Sequence, residues 1–175
     1  MKLILTGATG AGPSCLCLRK VLEWYSSILS PAVGLQVLRF AIADPTISKI
    51  TILSRRALPD YAPSSPKAEV TVLDDFLHYP PEILPRLADH DACIWALGAS
   101  SKGHTEASYA VFTLDYVKVA VEALVEGGVG KGREDGKNLF RFIFLSSESA
   151  NPEESSMLMF SRVKVRISRT RARHG

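Results

Sequence analysis

The chain has 175 residues, 46% hydrophobic and 22% charged, with a formal net charge of +3. This is the make-up of one globular domain with a sizeable core, and it excludes a disordered chain. No apolar run approaches the roughly 18 residues that a membrane span needs.

The small net charge gives no reason to expect a polyanion partner. Of the 21 basic residues, six crowd the end of the chain: Arg162, Lys164, Arg166, Arg169, Arg171 and Arg173. The other 15 face 18 acidic residues. The body is therefore slightly acidic, and the basic stretch 165–175 is read as a solvated tail rather than a nucleic-acid or membrane contact. The three cysteines, Cys15, Cys17 and Cys93, have no pairing logic and are expected to be reduced thiols. Cys15 and Cys17 lack a second Cys/His pair for a metal, and Cys93 reads as a core filler. The only apolar stretch before the first glycine is Leu3-Ile4-Leu5, too short for a secretory signal, so a cytoplasmic address is expected.

In chain order, residues 2–6 read as a buried strand that stops at Gly7-Ala8-Thr9-Gly10. Residues 16–29 have helix-like spacing between Pro13 and Pro31, and residues 34–43 form a clearer helix that Asp44-Pro45 breaks. A second strand spans 50–54 and is followed by Arg55-Arg56. Three prolines make 58–66 a surface loop. A third strand spans 70–73 and ends at Asp74-Asp75, and Pro80, Pro81 and Pro85 bracket a short helix or turn. A fourth strand spans 92–97 and ends at Gly98. Residues 106–126 form a long helix with Val117, Ala120, Val121 and Leu124 on one face, stopped by Gly127-Gly128-Val129-Gly130. A fifth strand spans 139–145 with Ser146-Ser147 at its end, and a last helix starts near Pro152 and includes Phe160 and Lys164. Apolar strands alternating with helices predict an α/β protein: a Rossmann-like, doubly wound parallel sheet of five recognisable strands, covered on both sides.

A dinucleotide site needs a strand, a turn without side chains and a helix whose N-terminus faces the pyrophosphate. Thr6-Gly7-Ala8-Thr9-Gly10 follows the first strand in that position. It resembles the T-G-A-T-G opening of atypical and extended short-chain dehydrogenases/reductases, in which a third glycine follows Gly10 after two residues. Position 13 is Pro13, but reading Gly10 on to Ala32-Val33-Gly34 restores the pattern. Residues 11–31 then form an insertion in the phosphate loop, either a retained intron or gene-model error, or a real lineage-specific hairpin or helix. After the second strand, an acid selects NAD and arginines select NADP. Arg55 and Arg56 stand there, so NADP(H) is expected over NAD(H).

The likeness is to the subgroup that includes the HIV Tat-interacting-protein-like and NmrA-like proteins and fungal epimerase-like proteins. Asp91-Ala92-Cys93-Ile94-Trp95-Ala96-Leu97-Gly98 and the phrase from Phe160 to Lys164 carry it. It implies that Thr6, Gly7, Thr9, Gly10 and Gly34 hold the cofactor phosphates, that Asp75 meets the adenine amino group, and that Ala96, Leu97 and Gly98 line the cofactor. It also implies a Ser-Tyr-Lys set in which serine steadies the substrate carbonyl and lysine lowers the pKa of the tyrosine acid/base. Ser147 and Lys164 match that set, whereas the tyrosine position is Phe160, which has no proton to give. One NAD(P)-binding domain over 1–164 is expected, with the C-terminal substrate region missing. Three functions stay open: an NADP-dependent oxidoreductase or epimerase-like enzyme on an unknown small molecule, a non-catalytic nucleotide-binding regulator or scaffold, and an inactive mis-spliced product. A homodimer is compatible with the family.

Overall fold

The computed structural model describes residues 1–9, 33–98, 104–131 and 139–145. The elements in order are β1 (Lys2–Thr6), α1 (Val33–Ala43), β2 (Lys49–Ser54), β3 (Ala68–Val72), α2 (Leu84–Ala88), β4 (Ala92–Trp95), α3 (Glu106–Ala110), α4 (Tyr116–Glu126) and β5 (Arg141–Phe144). A π-helical turn, Val111–Asp115, joins α3 to α4 in one continuous helix. The strands form one sheet in the order β3-β2-β1-β4-β5, and every pairing is parallel. The expected doubly wound α/β sheet is what the chain forms.

The two sheet faces have separate cores. Leu3, Leu5, Ile50, Ile52 and Ala92 point to the side that α1 covers with Leu35, Leu38 and Ala41. Ile4, Leu53, Cys93 and Trp95 point to the other side, where Val117, Ala120, Ala123 and Leu124 of α4 pack with Phe76 and Leu87. The alternation follows from the pleat, since successive side chains of a strand face opposite ways. It also explains why β1 and β2, buried on both faces, carry apolar residues pointing both ways.

The outer strands depart from the sequence expectation. β3 begins earlier, at Ala68, and its Val70 and Val72 are exposed. It has one neighbour, and its Glu69 pairs with Lys49 at 3.3 Å and with Arg86. β5 packs its half-buried Phe142 and Phe144 against the core that α4 covers but exposes Arg141 and Ile143, with Leu139 also exposed just before it. Val121 is exposed as well, and Ala123 joins the buried stripe instead. At about 100° per residue, Val121 lies one step round the helix from Ala120, outside a narrow stripe. The helix expected over 16–29 and the last helix from Pro152 lie outside the described residues.

A buried polar pair sits at the N-terminal end of the sheet. His90, just before β4, places Nε2 2.9 Å from Thr51 Oγ1 and Nδ1 3.2 Å from the Leu87 carbonyl. A carbonyl only accepts, so Nδ1–H donates to it and Nε2 accepts from the threonine hydroxyl. Burial pushes the His90 pKa down, against the opposing pull of the Leu87 carbonyl. The folded state therefore holds neutral imidazole, while the unfolded chain takes up a proton below about 6.5. Stability from this site is full above that pH. It falls as pH drops through it, by no more than about 1.4 kcal/mol per pH unit. Thermal melts from pH 7.5 to 5 should show a steeper loss for the wild type than for His90→Asn. Equal slopes would remove His90 from the explanation.

Candidate functional site

In an open parallel sheet the ligand crevice lies beyond the carboxyl ends of the strands, where neighbouring strands lead the chain to opposite sides. Here that point is between β1 and β4, since β2 flanks β1 on one side and β4 on the other. Because all pairings are parallel, the segments after β1, β2, β3 and β4 share one edge of the sheet. These segments carry Thr6, Gly7 and Thr9, then Arg55 and Arg56, then Asp75, then Ala96, Leu97 and Gly98.

Gly7 turns the chain off β1 with φ +77°, a left-handed conformation that favours glycine. A Cβ there would lie 2.3 Å from the Ala96 carbonyl oxygen and 2.7 Å from the Leu97 nitrogen. Gly34, in the first turn of α1, is as constrained. Its Cβ would lie 2.3 Å from the Gly7 carbonyl oxygen and 2.9 Å from the Ala8 nitrogen. The start of α1 therefore rests directly on the turn after β1, although residues 10–32 intervene in sequence. Gly34 occupies the close helix–turn contact, and no side chain fills the space between the two backbones. By contrast, a Cβ on Gly98 would meet nothing within 4 Å. The edge of the sheet thus has a tight glycine cradle at β1 and open space beyond β4, an arrangement that fits a pyrophosphate lying along bare backbone.

Thr6 is fully buried, and its Oγ1 accepts hydrogen bonds from the N–H groups of Ala96 at 3.1 Å and Leu97 at 3.2 Å. This contact explains why β4 stops at Trp95 rather than at 97. The next two donors turn to a side chain on β1 instead of continuing the ladder. The Thr6 side chain is accordingly the floor of the crevice and ties its two walls together.

Arg55, Arg56 and Asp75 are exposed on the rim. Among the described residues neither arginine is in an ion pair with a carboxylate. The Asp75 carboxylate accepts from the Leu77 N–H at 3.1 Å in a tight Asx turn. A residue absent from the sequence reading lies near them: Tyr116, at the start of α4, whose phenol pKa is pushed up chiefly by burial, with Asp75 raising it further and Arg55 lowering it. A signal for it existed. The helix after β4 starts at the carboxyl edge of the sheet, so a polar-tipped aromatic in its early turns lies near the crevice. Gly10, Ser147, Phe160 and Lys164 lie outside the described residues. Among the described residues no group of three or more His, Cys, Asp or Glu side chains could hold a metal ion, and no helix is long and apolar enough to cross a membrane.

No protein-family model matches the chain. It is 32% identical over 91 residues to the leucinostatins biosynthesis cluster protein T of Purpureocillium lilacinum, covering 52% of this chain and 34% of that protein. A UDP-glucose 4-epimerase of solved structure superposes with a TM-score of 0.64 at 12% identity, over 99% of this chain and 47% of that one. The UDP-glucuronic acid 4-epimerase from Bacillus cereus, solved in complex with NAD, gives 0.63 at 13% identity, over 99% of this chain and 53% of that one. The chain therefore shares its Rossmann-like fold, a parallel sheet flanked by helices, with these two epimerases. It spans about half the length of these solved structures and about a third of the curated relative.

Proposed function

We propose that the chain binds a nicotinamide dinucleotide at the β1–β4 crevice, NADP(H) in preference to NAD(H), as a cytoplasmic member of the short-chain dehydrogenase/reductase class. The observation that carries this reading is the glycine cradle, in which Gly7 and Gly34 have backbone where any side chain would sit. In this reading the backbone of Gly7, Thr9, Gly10 and Gly34 holds the pyrophosphate, and Thr6 holds the crevice walls in register. Arg55 and Arg56 pair with the 2′-phosphate, Asp75 accepts from the adenine amino group, and Ala96, Leu97 and Gly98 line the remainder. The bound nicotinamide would supply hydride transfer, which makes oxidoreductase or epimerase-like chemistry on a small molecule the expected activity. Ser147 would steady a substrate carbonyl and Lys164 would supply positive charge beside it.

A second reading, nucleotide binding without turnover, is favoured by one specific residue. Phe160 stands where a proton-donating tyrosine is expected, and a phenyl ring cannot exchange a proton with substrate.

The arginines provide the test. The Arg55→Ala/Arg56→Ala double variant should lose about tenfold to a hundredfold in NADPH affinity, the scale of one charge-assisted pair. Its NADH affinity should change by less than about threefold, since NADH lacks the charge these residues meet. Parallel calorimetric titrations read both values. An unchanged ratio between the two nucleotides would remove the arginines from the site.

A further inference from the structure

β3 is an outer strand of the sheet, with β2 as its one neighbour among the described residues. Its backbone groups divide between two sides. The Lys67 C=O accepts from the Ile50 N–H at 2.7 Å, and the Leu73 N–H donates to the Ser54 C=O at 2.8 Å. Alternate residues of a strand aim their backbone groups the same way, so Glu69 and Thr71, like Lys67 and Leu73, turn toward β2. Ala68, Val70 and Val72 turn outward. The Ala68 N–H is taken by the Ser65 C=O at 2.9 Å. The N–H and C=O groups of Val70 and Val72 therefore form an unpaired row along the edge.

The side chains leave that row uncovered. Ala68 packs on the α1 side of the sheet. Val70 and Val72 share its face by the pleat, and they are 37% and 52% exposed. Sheet edges are normally blunted by charge or proline. β3 has no proline and a single charged residue, Glu69. Lys49 and Arg86 of the same chain already pair with that carboxylate, on the opposite face from the valines.

What fits the row is the strand itself. Two copies related by a two-fold axis pair antiparallel, and outward residues must meet outward residues. Within the strand the axis then passes Glu69, Val70 or Thr71. At Glu69 it would set two carboxylates directly opposite each other, which is destabilising. At Val70 it would oppose Val72 to the partner's Ala68, whose N–H is already taken. At Thr71 every free N–H and C=O of the two valines finds a partner. Val70 then lies opposite the partner's Val72 on one face, and Thr71 meets the partner's Thr71 on the other, a favourable pair. Glu69 lies opposite the partner's Leu73, clear of its like charge.

We propose that β3 is a self-pairing edge, joining two copies of this chain antiparallel about a two-fold axis at Thr71 into one continuous sheet. The contact uses the same patch on both copies and so closes at two. One short strand from each side buries less than the roughly 1,200 Å² of a stable interface, so the dimer is weak and forms as concentration rises.

Sedimentation equilibrium of the full chain, from micromolar to millimolar concentration, tests this. The weight-average mass should climb from one chain toward two. Thr71→Lys and Thr71→Glu each set like charges across the axis, and each alone should raise the dissociation constant at least about tenfold. Mixed in equal amounts they face each other with opposite charges, and the mixture should return to within about threefold of the wild type. Variants that had failed to fold would not recover in this way. Val72→Pro removes an outward N–H, a change that edge strands tolerate, and should weaken pairing by about tenfold as well. A wild type that remains one chain at every concentration would overturn the proposal. A dimer that neither Thr71→Lys nor Val72→Pro weakens would overturn it too, since it would use another face. Lys and Glu variants that stay single when mixed, beside a dimeric wild type, would overturn the axis at Thr71.

Discussion

Gly7→Ala should lower stability by about 3 kcal/mol or more, the largest single-methyl effect expected in this domain. Two costs combine. The residue has φ +77°, where a Cβ costs roughly 1–2 kcal/mol. The added methyl would also lie 2.3 Å from the Ala96 carbonyl oxygen, and backbone cannot rotate aside as a side chain does. Overpacking of this kind typically costs about 1–3 kcal/mol. Gly34→Ala separates the second cost from the first. Helix propensity alone would make alanine better than glycine there by about 1 kcal/mol. The Cβ contact with the Gly7 carbonyl, also at 2.3 Å, should reverse the sign and leave a net loss. Thermal melts of the two variants read this directly. A Gly34→Ala protein as stable as the wild type would mean that α1 does not rest on the β1 turn, and the phosphate cradle would go with it.

The second large effect is expected at Trp95. Its side chain is 1% exposed, with the Phe76 ring 5.6 Å away edge-on and the Phe142 ring stacked at 6.1 Å. It therefore joins β4 to β5 and to the segment after β3. Trp95→Ala should cost about 3–5 kcal/mol through lost transfer energy and the cavity left behind. Typical domain stability is only about 5–15 kcal/mol, so this variant should be close to unfolding at room temperature. Trp95→Phe should be milder for a specific reason. The indole Nε1 has no hydrogen-bond partner among the described residues, so removing it also removes an unsatisfied buried donor. Urea denaturation of both variants checks the ordering. A phenylalanine variant as unstable as the alanine one would show that the indole nitrogen is satisfied after all.

What the sequence made legible follows from burial. β1 and β2 are apolar on both faces because both faces are covered, so their runs could be read directly. β3 and β5 are outer strands with one face less covered, and the same rule overestimated their burial at Val70, Val72 and Ile143. The early stop of β4 depends on the Thr6 hydroxyl 90 residues away, a pairing that periodicity does not carry. The helix from 106 to 126 was visible, whereas its π-helical turn at Val111–Asp115 was not, since nothing in the pattern marks an added residue in a helix. The link from Gly10 to Gly34 across residues 11–31 came from family spacing, and Gly10 lies outside the described residues, whereas Gly34 lies against the Gly7 turn. Tyr116 escaped because a tyrosine on a helix's apolar side reads as core. Only the strand order brings Arg55 and Asp75 to the same sheet edge as the start of α4.

The central claim is that this sheet edge binds a dinucleotide, and calorimetric titration of the purified chain with NADPH and then NADH tests it most directly. Micromolar binding of NADPH with weaker NADH is the expected result. A folded, monodisperse protein that binds neither nucleotide would contradict it.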